Sequence, residues 1–112
     1  MSEKEYRELV LTAFKKLERA FDAVDPDKAE FEMAQGAVTI VFADRSKLIL
    51  SQQPSLRQIW VAAAAKGIAY HLDYDLGLKK WMDDKGKGVE LFGFIQQTVE
   101  AQIAVHLSFS DS

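Results

Sequence analysis

Six short segments of alternating polar and apolar residues follow one another through the middle of this 112-residue chain. Such alternation is typical of strands, because successive side chains of a strand point to opposite faces of its sheet. The connections between the segments are too short for the crossover that parallel strands require, so the pairing is predicted to be antiparallel. The predicted strands cover residues 30–33, 37–42, 47–50, 58–62, 68–73 and 78–82.

Both ends of the chain have the periodicity of amphipathic helices. Residues 4–24 and residues 88–104 repeat apolar side chains at three- and four-residue steps. Two such helices can cover one face of an antiparallel sheet and leave its other face in water. The predicted fold is therefore α+β, a two-layer α-β sandwich in which the N- and C-terminal helices cover one face of an antiparallel sheet of about six strands. One domain is predicted over residues 1–112, with the apolar residues 105–109 packed beside the helices.

The composition argues against several classes of protein. Without cysteine the chain has no disulfide, thiolate nucleophile or cysteine-ligated metal centre. No apolar run approaches the roughly 18 residues that would span a bilayer, and the polar first residues do not resemble a secretory signal. The lysines at positions 79, 80, 85 and 87 lie near one predicted turn rather than in a basic stripe. Neither nucleic acid nor a membrane is therefore predicted as a partner, and a cytoplasmic protein is expected.

Acidic residues are concentrated in residues 18–32, although the net charge of the whole chain is only −3. We use the name acidic band for six of them: Glu18, Asp22, Asp25, Asp27, Glu30 and Glu32. Glu18 and Asp22 are four residues apart near the end of the first predicted helix, where like charges repel and the helix dipole favours cations. The band therefore costs stability, and two interpretations stay open: an acidic surface that aids solubility, and a function that requires these charges.

Carboxylate oxygens are ligands for hard cations such as iron(III), calcium, magnesium and manganese, and they hold iron(II) weakly. The chain has no Asp-x-Asp-x-Asp-Gly loop, and no His-x-x-x-His or Glu-x-x-His motif that would build a tight metal site. The acidic band is therefore predicted to bind metal loosely and exchangeably, to dock on a basic patch of another protein, or to do both.

A tryptophan is predicted on the solvated face of the sheet. Ile59 is expected to face the core, which leaves its neighbours Gln58 and Trp60 on the opposite face. His71 and Asp73 are expected on that outer face as well. Tryptophan is enriched among the residues that dominate protein interfaces, so Trp60 is a candidate for partner binding. The alternative is an inverted face assignment, in which Trp60 belongs to the core.

No catalytic site is evident in the chain. The serines lack the context of an activated nucleophile, and the histidines His71 and His106 have no triad partners. His71 and Asp73 could together ligate a metal, although a single surface histidine is more often solvated. We therefore expect a protein that is not an enzyme.

The residue pattern resembles the frataxin family, and within it the bacterial CyaY branch. The resemblance rests on the acidic first helix, the segment Gly36-Ala37-Val38-Thr39-Ile40-Val41-Phe42, the segment from Gln53 to Trp60 and the segment from Trp81 to Gly86. The glycine-led Val-Thr-Ile strand followed by Gln-Ile-Trp at this spacing is its most specific part. The family fold is the same two-layer sandwich that the order of helices and strands predicts.

This resemblance implies a function in iron–sulfur cluster assembly. The acidic band would bind iron(II) or iron(III) weakly and exchangeably, and would contact a cysteine desulfurase through Glu18 and Asp22. Gln58 and Trp60 match the family's sheet-surface residues that face the scaffold protein and the desulfurase. His71 falls where family members carry a basic or histidine side chain. The protein would regulate cluster synthesis or act as an iron chaperone, and would be a monomer without iron.

Two features depart from the family pattern. Pro54 follows Gln53 directly rather than after one intervening residue, so that loop is expected to be reshaped. Lys15, Lys16 and Arg19 make the first helix less acidic, which predicts weaker iron binding than in more acidic members. Two other functions stay open: a protein-interaction module unrelated to iron that uses the exposed tryptophan face, and a ferroxidase, which would accelerate iron(II) oxidation.

Overall fold

Helices and strands follow in the predicted order in the computed structural model, which describes residues 1–109. Residues 110–112, which the predicted domain includes, lie outside the described residues. The helices are α1 (Glu3–Phe21) and α2 (Leu91–Ile103), and the strands are β1 (Ala29–Ala34), β2 (Ala37–Phe42), β3 (Lys47–Gln53), β4 (Gln58–Ala63), β5 (Ile68–Asp75) and β6 (Lys80–Asp83). Single turns of 3-10 helix at Pro54–Leu56 and Ala64–Lys66 follow β3 and β4.

The six strands form one sheet, in which each strand pairs antiparallel with the next one along the chain. The inward-facing residues of the four central strands are almost completely buried: Val38, Ile40, Leu48, Leu50, Ile59, Val61 and Leu72. The two helices contribute the other side of this core, with Val10, Phe14 and Leu17 from α1 and Leu91, Ile95 and Val99 from α2. The predicted α+β sandwich is therefore confirmed. No helix within residues 1–109 is both long and apolar enough to cross a membrane.

Both helices are shorter than their sequence periodicity predicts. α1 ends at Phe21 rather than at residue 24, because Val24 reaches the core from a turn, where its N–H donates to the carbonyl of Phe21 at 3.0 Å. α2 begins at Leu91 rather than at residue 88, because Glu90 caps it. The Glu90 carboxylate accepts the backbone N–H groups of Phe92 and Gly93 at 2.8 and 3.0 Å. Apolar spacing thus extends past the backbone hydrogen bonds that define each helix.

The C-terminal residues 105–109 pack against the helical layer, as predicted. Leu107 is buried, and its backbone N–H donates to Gln96 Oε1 of α2 at 2.8 Å. The ring of Phe109 lies 5.0 Å from the ring of Phe92. Because both contacts are made to α2, this segment adds to the core instead of forming a free tail.

Tyr6 connects the helical layer to the turn between β3 and β4. Its side chain is completely buried, and its hydroxyl donates to the carbonyl oxygen of Gln58 at 2.6 Å. The same hydroxyl accepts the backbone N–H of Gln53 at 3.1 Å, and burial raises its pKa. Gln53 and Gln58 lie opposite each other in the β3–β4 register. One hydroxyl therefore holds both ends of the turn that leads into the Trp60 strand.

The substitution Tyr6→Phe is expected to lower the free energy of unfolding by about 1–3 kcal/mol, because two backbone groups lose their shared partner in a buried turn. Urea denaturation followed by circular dichroism measures this loss. Tyr70→Phe is the matched control, because the Tyr70 ring also packs on an aromatic ring, that of Phe94, while its hydroxyl makes no hydrogen bond within residues 1–109. An equal loss in the two variants would contradict the role of the Tyr6 hydroxyl.

Candidate functional site

All six residues of the acidic band are exposed, and they follow one edge of the sheet. They come from the end of α1 (Glu18, Asp22), from the turn that follows it (Asp25, Asp27) and from the edge strand β1 (Glu30, Glu32). The turn is ordered by its own side chain, since Asp25 Oδ1 accepts the backbone N–H of Asp27 at 2.9 Å. Helix, turn and strand thus each present exposed carboxylates along this edge.

Three residues of the acidic band border a single groove between α1 and β1. This groove has a volume of about 520 Å³, and Glu18, Asp22 and Glu30 line it. Its wall also contains the stacked rings of Phe21 and Phe31, whose centroids are 5.5 Å apart. An apolar wall beside carboxylates suits a lysine or arginine side chain, which has an aliphatic stem and a charged end. The groove can therefore accept a basic side chain of another protein.

The acidic band is not a preformed metal cage. Within residues 1–109 no three acidic or histidine side chains converge closely enough to hold a metal ion. A metal bound to the band would therefore use one or two carboxylates and keep water in its other coordination positions. Iron binding by these six residues therefore stays a prediction, and no three of their carboxylates meet at one point.

The Trp60 side chain lies on the outer face of the sheet, as predicted. Ile59 is completely buried on the inner face, whereas Trp60 is partly exposed. Trp60 lies opposite His71 in the β4–β5 register, and their rings stack at a centroid distance of 4.2 Å and an interplanar angle of 14°. The two rings lie face to face and together form one aromatic pair on the open side of the sheet, which we call the Trp60 platform.

Gln58 shares this outer face but does not project into water, which corrects the sequence-based expectation. It is only 8% exposed, and its side-chain amide is fully engaged with neighbouring side chains. Nε2 donates to Asp73 Oδ1 and to Asp84 Oδ2, each at 3.1 Å, while Oε1 accepts the indole N–H of Trp60 at 2.9 Å. Gln58 therefore lies beside the Trp60 platform, and its hydrogen bond orients the indole.

Asp84 belongs to the same network and was not among the candidate residues predicted from the sequence. Its backbone N–H donates to the carbonyl of His71 at 2.9 Å, and its Oδ2 lies 4.0 Å from His71 Nδ1. The signal that could have found it is the β5–β6 register: Leu72 pairs with Asp83, so Asp84, which directly follows β6, meets His71. Asp73 and Asp84 thus each accept a hydrogen bond from the Gln58 amide nitrogen.

Asp83 orders the loop that carries Asp84. Its carboxylate is nearly buried and accepts the backbone N–H groups of Lys87, Val89 and Lys85 at 2.9, 2.8 and 3.1 Å. The hydrogen bond from Lys87 contributes most to lowering the pKa of Asp83, and burial acts in the opposite direction. The ionised carboxylate is therefore the form that holds this loop.

The substitution Asp83→Asn is expected to lower the melting temperature at neutral pH, because an amide cannot accept these three N–H groups as a carboxylate does. Since the folded pKa of Asp83 lies below its unfolded value, the wild-type advantage is complete above the unfolded pKa. It disappears as the pH falls through the folded pKa. Melting temperatures of both proteins from neutral to acidic pH should therefore converge. Asp22→Asn, at an exposed position, is the control, and a gap for Asp83→Asn that persists in acid would contradict the assignment.

Comparison with known proteins gives a consistent result. The family model of the frataxin-like domain matches residues 1–105. The iron-sulfur cluster assembly protein CyaY of Stutzerimonas stutzeri is 37% identical to this chain over 111 residues, which cover 99% of this chain and 97% of that protein. The protein of the same name from Pseudomonas aeruginosa is 42% identical over 84 residues, which cover 75% of each chain.

Solved structures agree with these sequence matches. Frataxin from Psychromonas ingrahamii matches with a TM-score of 0.85 and 25% identity, over 99% of this chain and 100% of that chain. Trimeric frataxin from Saccharomyces cerevisiae, solved in a ferrous complex, matches with a TM-score of 0.63 and 23% identity, over 94% of this chain and 88% of that chain. The yeast protein shares the fold of this chain.

Proposed function

This chain belongs to the frataxin-like family, and we propose that it acts in iron–sulfur cluster assembly as an iron-binding regulator or iron chaperone. Its bacterial relatives are named as assembly proteins of that pathway, and the yeast frataxin structure was solved in a ferrous complex. The observation that carries the proposal is the groove at the acidic edge of the sheet, which Glu18, Asp22 and Glu30 line together. The bacterial cytoplasm is the compartment that this proposal assumes.

Iron binding is assigned to the acidic band. Its separate, exposed carboxylates favour weak and exchangeable ligation, in which iron keeps most of its water. Lys15, Lys16 and Arg19 on α1 lower the negative potential near Glu18 and Asp22, so the affinity should be below that of relatives with a more acidic helix. An anaerobic iron(II) titration of the 15N-labelled protein should broaden amides within residues 18–32, and a chelator should restore them. Several tight sites would contradict this assignment.

Docking on a cysteine desulfurase and its scaffold protein is assigned to two surfaces. The groove bordered by Glu18 and Asp22 would receive basic side chains of the desulfurase, because opposite potentials steer and orient protein association. The Trp60 platform would meet the scaffold complex through apolar contact, with His71 at its outer side. Neither contact needs a nucleophile or a general base, and we propose a role without catalysis.

The direct test is a titration of unlabelled cysteine desulfurase into the 15N-labelled protein. Broadening confined to residues 18–32 and to the neighbourhood of Trp60 would support both surfaces. Broadening of residues 18–32 alone would restrict the desulfurase contact to the acidic band, and the same titration with the scaffold protein would then examine the Trp60 platform. An unperturbed spectrum at high desulfurase concentration would contradict the proposal.

A second candidate function is a protein-interaction module unrelated to iron. The observation that favours it is the Gln58 network, which orders the Trp60 platform with side chains outside the acidic band. In that case Trp60→Ala should abolish capture of a partner from bacterial lysate, and added iron should not change the captured protein. Capture that depends on iron, or on the acidic band, would exclude this candidate.

A further inference from the structure

The first strand, β1, leaves one side of its backbone unpaired at the edge of the sheet. It pairs only with β2. The strand at the opposite edge, β6, is partly covered, because Met82 forms a bridge with Glu90 and the N–H of Asp83 donates to the carbonyl of Val89 at 2.9 Å. An unpaired edge offers backbone donors and acceptors to another strand. Among the described residues, β1 is therefore the more open of the two edges.

The hydrogen bonds next to β1 show which of its backbone groups face outward. The N–H of Ala43 donates to the carbonyl of Lys28 at 3.0 Å, and every second residue after Lys28 pairs with β2 in the same way. The backbone groups of the residues in between point away from the sheet. The N–H of Ala29 is satisfied within the preceding turn, whereas the backbones of Phe31 and Met33 have no hydrogen-bond partner within residues 1–109.

The apolar side chains of β1 lie on the helical side of the sheet. Phe31 and Met33 point to this side, because Ile40 and Val38, their partners on β2, belong to the core. Phe31 is partly buried, whereas Met33 is 36% exposed and lines a groove of about 520 Å³ between α1 and the end of β1. Another strand along this edge would therefore meet an apolar surface on its helical side.

The acidic side chains of β1, Glu30 and Glu32, lie on the other side of the sheet. Both are exposed, and neither makes an ion pair within residues 1–109. Glu32 lies opposite Thr39, which carries no charge. Arg45 lines a groove together with Glu30, and Lys47 lies two strands away in the same row, but neither forms an ion pair with it. The two carboxylates are therefore available to basic side chains of an added strand.

We propose that the free edge of β1 binds an extended segment of another protein as an additional antiparallel strand, in which basic and apolar residues alternate. Backbone hydrogen bonds to Phe31 and Met33 would provide affinity, and basic side chains opposite Glu30 and Glu32 would select the segment. A second copy of β1 fits poorly. With the apolar residues on one side, its own glutamates would lie against these two, and like charges oppose pairing.

This inference goes beyond the proposed function, because it concerns the backbone edge of β1. Desulfurase docking is assigned instead to the groove bordered by Glu18 and Asp22. Strand addition requires neither iron nor a desulfurase, and its test uses neither. Each of the two proposals can therefore fail without the other.

The probe is the synthetic peptide Thr-Lys-Leu-Lys-Leu-Lys-Thr, acetylated and amidated, which is titrated into the 15N-labelled full chain. In an antiparallel pair, the N–H groups of the residues opposite Phe31 and Met33, here the two leucines, point to β1. N-methylation of both leucines should therefore weaken binding about tenfold or more. N-methylation of two lysines, whose N–H groups point away from β1, should preserve binding. The two methylated peptides have the same charge and composition.

Amide exchange with solvent locates the bound peptide on the protein. The N–H groups of Phe31 and Met33 should exchange more slowly when the peptide is bound, because each gains an acceptor. Glu32→Lys should weaken peptide binding roughly three- to thirtyfold, since an attractive cross-strand pair becomes a repulsive one. Glu8→Lys is the control, because Glu8 is exposed and lines a groove beside Tyr74, away from β1. It should leave the affinity unchanged.

Four results would overturn the proposal. Equal affinity of the two methylated peptides would mean that attraction between charges alone holds the peptide. An equal loss in Glu32→Lys and Glu8→Lys would indicate a general charge effect. Unchanged exchange of the Phe31 and Met33 amides with bound peptide would place the peptide elsewhere. Exchange that slows at these two amides with rising protein concentration, without peptide, would make a second copy the occupant.

Discussion

Replacing Glu18 and Asp22 together by lysine is expected to abolish binding to a cysteine desulfurase and to preserve the fold. The double substitution turns two negative charges of the groove into two positive ones, so the basic surface of the partner meets like charge. Like-charge juxtaposition at an interface costs several kcal/mol, which corresponds to a loss of affinity of about 100-fold or more. Both positions are exposed and at the C-terminal end of α1, where the helix dipole favours lysine.

Isothermal titration calorimetry measures this loss, and the amide spectrum of the variant verifies the fold. The charge-matched control is a comparison of single substitutions on one helix: Glu18→Lys against Glu8→Lys, which lies ten residues earlier and is also exposed. Because ten residues correspond to about 15 Å along a helix, Glu8 is remote from the groove. Only Glu18→Lys should weaken binding. Unchanged affinity in the double variant would remove the acidic band from the docking surface.

The fold could be predicted from sequence because its signals are local. Period-two alternation places Ile59 inward and Trp60 outward without any knowledge of the neighbouring strands. Helix ends were less predictable, since they depend on individual hydrogen bonds: Val24 keeps the apolar spacing of α1 but is buried from a turn. Apolar spacing alone does not distinguish a last helical turn from a turn that also faces the core.

The candidate site could be predicted only in part, because its geometry depends on distant pairings. The acidic band is visible as a cluster in the sequence, but its groove forms because the turn at Pro26 returns β1 alongside the end of α1. The burial of Gln58 depends on Asp84, 26 residues later, which reaches the amide through the β5–β6 register. A solvated glutamine is the reasonable expectation when that register is unknown. Here two carboxylates and an indole replace the water.

Replacing Trp60 by alanine is the substitution that most directly examines the platform. Buried aromatic anchors at the centre of an interface typically contribute at least about 2 kcal/mol, so the affinity for the desulfurase–scaffold complex should fall about 30-fold or more. Stability should change little, because the indole lies on the outer face of the sheet and is partly exposed. Leu11→Ala is the control for lost apolar surface, since Leu11 is 49% exposed on the helical layer. Iron binding by the acidic band should be the same in both variants.

Two further variants separate the indole surface from its orientation. Trp60→Phe keeps an aromatic ring opposite His71 but removes the N–H that donates to Gln58 Oε1. Gln58→Leu keeps a side chain of similar length and leaves Asp73 and Asp84 without their shared donor. If orientation matters, both variants should weaken binding, and the indole N–H resonance of Gln58→Leu should shift even without a partner. Binding that survives both variants but not Trp60→Ala would mean that the partner recognises the apolar surface of Trp60, whatever the orientation of its ring.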